Sequence, residues 1–110
     1  GIEPPTSKAK VGIDPTQLAI VRAGLRQAVT DGSARRLQSV PVPMAGKTGT
    51  AQFGANEKTH AWFTGFGPEE SPELVITILI EGGGQGDQVA VPVAEEVLKW
   101  YYTRPAEERE

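Results

Sequence analysis

The sequence predicts an α+β domain, a three-stranded antiparallel meander flanked by an amino-terminal and a carboxy-terminal helix. Three observations carry this. An apolar stripe recurs at three- and four-residue steps between an Asp-Pro start and an Asp-Gly stop over 14–32. Three strand-like segments then follow one another across connections rich in Gly, Pro, Asn and Glu. A glycine-rich break precedes a second periodic apolar stretch. With 110 residues the chain has room for one compact core and not for two ordinary domains.

Residues 1–13 mix Pro4, Pro5, Lys8 and Lys10 without periodicity and are expected to form a flexible lead-in. At Asp14-Pro15-Thr16-Gln17 the signal changes. Asp14 can cap the first N–H groups, Pro15 suits the first helical position, and Gln17 is spaced to reach back to the cap. Leu18, Val21, Leu25, Ala28 and Val29 form one stripe and Asp31-Gly32 supplies a stop, so the helix is expected over Pro15–Thr30. A basic, irregular connection over 33–43 leads to strands predicted at Met44–Phe53, His60–Gly67 and Glu73–Glu81. The core of the third, Leu74-Val75-Ile76-Thr77-Ile78-Leu79-Ile80, is β-branched and apolar on both faces, which suits a central strand covered on each side. Short connections favour an antiparallel meander. Gly82-Gly83-Gly84-Gln85-Gly86 then breaks the chain before a helix with Pro92 near its start and Val93, Ala94, Val97, Leu98 and Tyr101 as its apolar face. The folded body is thus expected over 14–102, and 103–110 as a charged, frayed tail carrying Pro105.

Composition excludes several classes of function. Net charge is −3 with both signs interspersed, so no basic stripe is available to neutralise phosphates, and nucleic acid is not an expected partner. Cysteine is absent, which removes disulfides, thiolate metal sites and cysteine nucleophiles together. No cluster of metal-ligating side chains stands out, so neither a metal nor a cofactor is expected. No apolar run approaches the roughly 20 residues of a membrane span, and Gly1-Ile2-Glu3-Pro4-Pro5 lacks the features of a signal peptide. The chain itself is expected to be soluble.

The chemistry-bearing stretch is Pro43-Met44-Ala45-Gly46-Lys47-Thr48-Gly49-Thr50-Ala51-Gln52-Phe53. Gly46-Lys47-Thr48 has the letters that end a phosphate-cradling loop. Such a loop needs glycine five residues before Gly46, where this chain has Pro41 with no N–H, and it must open a helix, for which Gly49 to Gly54 is poor material. On a strand the same residues read differently. Thr48 and Thr50 project from one side, Lys47 from the other or over the edge, and Gly49 leaves a gap between the hydroxyls. Two hydroxyls, an ammonium and a backbone N–H at Thr50 would suit a peptide-like ligand ending in a carboxylate. The plain alternative is a glycine-weakened edge strand with a solvated lysine, and composition leaves both open. His60 has no spaced acid or serine partner and reads as a structural or exposed histidine.

Lys47-Thr48-Gly49-Thr50-Ala51-Gln52, followed by His60-Ala61-Trp62-Phe63-Thr64-Gly65-Phe66 and a glycine-rich turn into a terminal helix, resembles the carboxy-terminal part of class B penicillin-binding proteins. These are the D,D-transpeptidases that cross-link peptidoglycan through an acyl-serine intermediate. Upstream, Ile13-Asp14-Pro15 leading into a helix, then Gly32-Ser33-Ala34, look like the Gly-Thr-Ala region of the elongation-type, penicillin-binding protein 2-like branch. The likeness runs from about Val11 to Tyr102.

The resemblance implies a fragment of the penicillin-binding protein/serine β-lactamase-like transpeptidase fold. It implies Lys47 beside the nucleophilic serine, Thr48 and Thr50 holding the carboxylate of a stem peptide or β-lactam, the Thr50 N–H in the oxyanion hole, and Gly49 letting substrate lie against the strand. Catalytic roles thus fall to Lys47 and Thr50, and substrate binding to Thr48, Gly49 and Thr50. Trp62 to Phe66 is implied to be structural. The family's Ser-x-x-Lys opens a buried helix far upstream of Lys-Thr-Gly, with a Ser-x-Asn motif between them. Here Ser7-Lys8-Ala9-Lys10 has the letters without an amphipathic helix to bury Lys10, and Ser33, Ser39 and Ser71 have the wrong neighbours for the second motif. The chain alone is therefore expected to be inactive.

In the family two earlier strands continue the sheet beyond the third strand, so that strand is expected to be an edge here and to pair with another copy or with the lead-in. Implied partners are the stem peptide, β-lactams and the remainder of the transpeptidase domain. The implied location is the extracytoplasmic face of the bacterial cytoplasmic membrane, through an anchor absent from these residues. Competing readings are a β-lactam sensor, a serine β-lactamase or carboxypeptidase relative, and a small non-catalytic interaction module.

Overall fold

The structure is a computed structural model that describes residues 9, 11–54 and 58–109. In chain order it contains helix α1 (Pro15–Thr30), strands β1 (Ala45–Phe53), β2 (Lys58–Gly67) and β3 (Leu74–Ile80), and helix α2 (Val91–Thr103). Short 3-10 turns at Arg35–Ser39 and Ala106–Glu108 and a π-helical turn at Gly86–Ala90 complete it. The α+β meander with a helix at each end is as the sequence predicts. Most of the lead-in, including Ser7, Lys8 and Lys10, lies outside the described residues.

Helix α1 starts where its cap requires. The Asp14 carboxylate accepts the Thr16 N–H at 2.8 Å, with Pro15 in the first turn. At the other end the Gly32 and Ala34 N–H groups both reach the Ala28 carbonyl, at 3.2 and 2.9 Å. The spacing of the apolar stripe is real, but its burial is not uniform. Val29 is fully buried, whereas Leu18 and Val21 are 47% and 57% exposed. Only the last turn of the helix reaches the core. The earlier turns stand off the sheet, and Leu18, Val21 and Leu25 line an apolar groove of about 280 Å³ with Phe66, Pro72 and Val75.

The sheet has the order β1-β2-β3 and is antiparallel throughout. Residues directly opposite in such pairs share a face. One face therefore carries the rows Thr48–Phe63–Ile78 and Thr50–Ala61–Ile80. This face meets Val91, Ala94, Leu98 and Tyr102 of α2 in the core, which Val29, Leu37 and Met44 complete. The other face carries Lys47–Thr64–Thr77 and Gly49–Trp62–Leu79. In β3 Leu74, Ile76, Ile78 and Ile80 are half-buried and pack on the core, while Val75 and Leu79 are 71% and 60% exposed. The two-sided apolar strand is thus covered on one side only, and it is an edge of the described sheet.

Helix α2 buries part of the stripe the sequence suggests, Ala94 and Leu98 fully and Tyr101 partly, and leaves Val93 and Val97 exposed. Val91, Ala94, Leu98 and Tyr102 face inward, at steps of three and four, and Val93 and Val97 lie outward with Trp100. At 3.6 residues per turn Val93 and Val97 sit about 100° round the helix from Ala94 and Leu98, on the flank of the buried stripe. Tyr102 sets the choice. Its hydroxyl donates to the Gly67 carbonyl at 3.3 Å beneath the sheet, and burial pushes the phenol pKa above its ordinary value. The charged tail does not hang free, since the Tyr101 hydroxyl donates to the Arg109 carbonyl at 2.9 Å and the Arg109 guanidinium lies over the Tyr102 ring at 5.5 Å.

The basic connection is tied to α2 through Glu95. Its carboxylate accepts from the Ser39 hydroxyl and, at 2.8 Å, from Arg36 Nε, with Lys99 Nζ at 3.6 Å. The Ser39 and Arg36 bonds hold the Glu95 carboxyl below its usual range. A depressed carboxyl contributes stability above the unfolded-state pKa and loses it as pH falls through the folded-state value. Glu95→Gln is expected to lower stability by about 1 kcal/mol at pH 7, the Arg36 side being exposed and discounted accordingly. It should also flatten the fall in urea-unfolding stability between pH 5 and 3, and an unchanged pH slope would contradict the assignment.

Candidate functional site

Strand β1 gathers the four residues singled out by the sequence and alternates their faces. Thr48 and Thr50 point toward the α2 side, Lys47 and Gly49 away from it. Lys47 is exposed, and its Nζ donates to the Thr48 carbonyl at 2.7 Å, folding the ammonium back along the strand. Thr48 is nearly buried, at 8% exposure, and its Oγ1 lies 2.7 Å from the Ser33 hydroxyl, where either oxygen can donate. Thr50 is exposed, and its Oγ1 accepts the Gly86 N–H at 3.3 Å. A hydroxyl that already accepts one bond keeps its own proton for a ligand, so Thr50 is set up as a donor. Ser33 on one side and Gly86 on the other fix the two hydroxyls before any ligand arrives.

Gly49 is required by the fold itself. A Cβ built on it would overlap Cε2, Cζ2 and Nε1 of the Trp62 indole, its directly opposed partner on β2. On the opposite side, a Cβ on Gly86 would come 2.6 Å from the Trp62 carbonyl and 3.0 Å from the Gly49 nitrogen. The middle of the Lys-Thr-Gly-Thr stretch is therefore clamped between an indole and a glycine backbone. Trp62 and Gly86 could not be assigned to the site from the sequence, because neither carries a chemical group that marks it. Ser33 is weighed there only as a second-motif serine and as part of Gly32-Ser33-Ala34, and its 15-residue separation from Thr48 leaves no periodic signal.

The remaining candidates have structural partners. His60 Nδ1 accepts the Gly82 N–H at 3.1 Å, and its ring stacks on Phe53 with centroids 3.9 Å apart. Ser39 is taken by Glu95. Among the described residues no group of three or more His, Asp or Glu side chains is placed to hold a metal ion. The site thus offers two positioned hydroxyls, an ammonium and strand backbone, a set suited to a carboxylate-bearing, extended peptide.

Residues 2–99 match the family described as penicillin binding protein transpeptidase domain. The peptidoglycan D,D-transpeptidase MrdA of Haemophilus influenzae is 39% identical over 72 residues, which is 53% of this chain and 11% of that protein. A crystal structure of Pseudomonas aeruginosa PBP2 in complex with WCK 5153 superposes with TM-score 0.75 and 31% identity, covering 94% of this chain and 24% of that one. Penicillin-binding protein A of Mycobacterium tuberculosis, solved as a ceftriaxone acyl-enzyme complex, superposes with TM-score 0.68 and 27% identity over 79% of this chain and 21% of that one. The chain thus spans a quarter or less of the length of each of these relatives.

The clamp makes a prediction about β1. Gly49→Ala is expected to destabilise the chain by about 1–3 kcal/mol in urea, the usual cost of overpacking. Trp62→Leu in the same chain should return part of that loss, with a coupling of about 0.5–3 kcal/mol. Strictly additive effects would mean that the ring does not press on Gly49.

Proposed function

The chain belongs to the penicillin-binding protein transpeptidase family, and from that membership we propose that it supplies the Lys-Thr-Gly wall of a penicillin-binding protein 2-like peptidoglycan D,D-transpeptidase. The observation that carries this reading is the pre-set pair of hydroxyls, Thr48 against Ser33 and Thr50 against Gly86, on the strand that bears Lys47.

In this reading a serine supplied by another part of the protein attacks the carbonyl of the penultimate D-alanine of a stem peptide. The peptide C–N bond breaks, the terminal D-alanine leaves with a proton on its nitrogen, and an acyl-serine ester forms. An amine from a neighbouring stem peptide then attacks the ester, forming the cross-link and returning the proton to serine. Thr48 and Thr50 donate hydrogen bonds to the terminal carboxylate. The Thr50 N–H faces the developing oxyanion, and the Lys47 ammonium adds positive potential and assists proton movement beside the serine. A β-lactam enters by the same attack, its ring amide taking the place of the scissile peptide.

The uncovered surfaces suit a chain that packs against the remainder of such a domain. These are the edge of β3, Val75 and Leu79 on its open face, and the groove under α1. Alone, the chain is proposed to self-associate through the β3 edge. Its action is placed at the extracytoplasmic face of the cytoplasmic membrane, where peptidoglycan is cross-linked. No helix among the described residues is long and apolar enough to cross that membrane.

Incubation of the chain with a fluorescent penicillin, read by intact mass and amide NMR, tests the reading. The expected result is no covalent adduct, weak reversible shifts at Thr48 and Thr50, and a concentration-dependent species above the monomer in sedimentation. A stoichiometric adduct on Ser7 would place the nucleophile within this chain and overturn it, and a strict monomer with a rapidly exchanging β3 would remove the self-association.

A further inference from the structure

The glycine-rich connection between β3 and α2 is bonded at every second residue to a side chain of the β1–β2 hairpin. Gly82 donates its N–H to His60 Nδ1 at 3.1 Å, the Gly84 carbonyl accepts from the Thr59 hydroxyl at 2.8 Å, and Gly86 donates its N–H to Thr50 Oγ1 at 3.3 Å. Side chains alternate along a strand, so Thr50 and Thr59 stand on the α2 face of the sheet and His60 on the other. The connection is therefore held from both faces. It needs such holding. Gly82 and Gly84 have φ of +62° and +100°, and a glycine segment loses more conformational freedom on ordering than any other.

The acceptor in this series that is itself fixed from a second direction is His60. Its ring stacks on Phe53 of β1, centroids 3.9 Å apart and planes within 5°, so Nδ1 is aimed at Gly82 rather than free to turn. Accepting at Nδ1 leaves the ring proton on Nε2. One side chain thus touches both the strand that carries Thr50 and the connection that carries Gly86. We propose that His60 is a positioning residue for the Thr50 hydroxyl. By fixing Gly82 it holds the connection so that the Gly86 N–H meets Thr50 Oγ1, which keeps the hydroxyl proton of Thr50 turned to the ligand. The inference rests on the function proposed above and adds to it a residue outside the Lys-Thr-Gly stretch.

The test separates the bond from the stack. His60→Phe keeps a flat ring on Phe53 and removes the acceptor, whereas His60→Asn removes the ring and keeps an acceptor oxygen near the place of Nδ1. Amide exchange and NMR titration with N-acetyl-D-Ala-D-Ala are read on the unsubstituted chain and on both variants. His60→Phe is expected to speed exchange at Gly82 and Gly86 by about three- to tenfold and to weaken the peptide by about two- to fivefold, with exchange at Phe63 and Leu98 unchanged. His60→Asn should return part of both losses. A ring that served only for packing would give the opposite order, with Asn the worse variant at Gly86, and that order would overturn the proposal. So would faster exchange at Gly82 alone, or equal peptide binding by His60→Phe and the unsubstituted chain. If Gly86 responds as expected but the peptide shifts neither Thr48 nor Thr50 in any chain, the proposed function fails and the hold of His60 on Thr50 stands.

Discussion

The Gly49 backbone lies between the Trp62 indole on one face of the sheet and Gly86 on the other, and the geometry of the site depends on this contact. Among the described residues strand β1 is an edge strand with one bonded neighbour, and its sequence is weak β material, with Gly46, Gly49 and small polar residues in place of β-branched apolar ones. Ladder hydrogen bonds to β2 alone would leave such a strand free to twist. The indole fills the space a side chain would take, and Gly86 closes the opposite face while donating its N–H to Thr50. The middle of β1 is thereby fixed from both faces.

The same arrangement links the site to the core. Thr48 and Phe63 are directly opposed, so a buried aromatic side chain and the hydroxyl bonded to Ser33 share one row of the sheet. Ser33, at the end of α1, reaches Thr48 because Val29, Ala34 and Leu37 anchor the turn on either side of it. The loop after β3 reaches Thr50 because Val91, Ala94 and Leu98 seat α2 immediately beyond it. One nearly buried and one exposed hydroxyl are thus referenced through three elements to one apolar cluster, the kind of support that preorganised binding requires.

Much of this was legible in the sequence, and the parts that were not have a common cause. Asp14-Pro15 and Asp31-Gly32 bracket α1 because caps and stops are local chemistry, turn residues separate the three strands, and only β3 is also marked by a β-branched run. Which stripe of α2 turns inward is not local. It includes Tyr102, which meets Gly67 far away in sequence, and it leaves out Val93 and Val97, which the periodicity counted in with Ala94 and Leu98. Likewise Lys47, Thr48 and Thr50 announce themselves by side-chain chemistry. Ser33, Trp62 and Gly86 act through packing and one hydrogen bond each, which only the assembled sheet reveals. The two-sided apolarity of β3 suits a strand covered on both faces, and in the described sheet Val75 and Leu79 leave one of them exposed.

The central claim is that β1 is held in its site geometry by this chain's own contacts, before a ligand or any other segment is present. Native-state amide hydrogen exchange across β1 measures that most directly. If the account holds, the β1 amides bonded to β2 between Gly46 and Thr50 exchange only through global unfolding, matching Phe63 in the core, while protection fades toward Gly54. Exchange of Gly46 to Thr50 as fast as at Gly54, with Phe63 still protected, would show that the strand is mobile and that the clamp at Gly49 does not hold it.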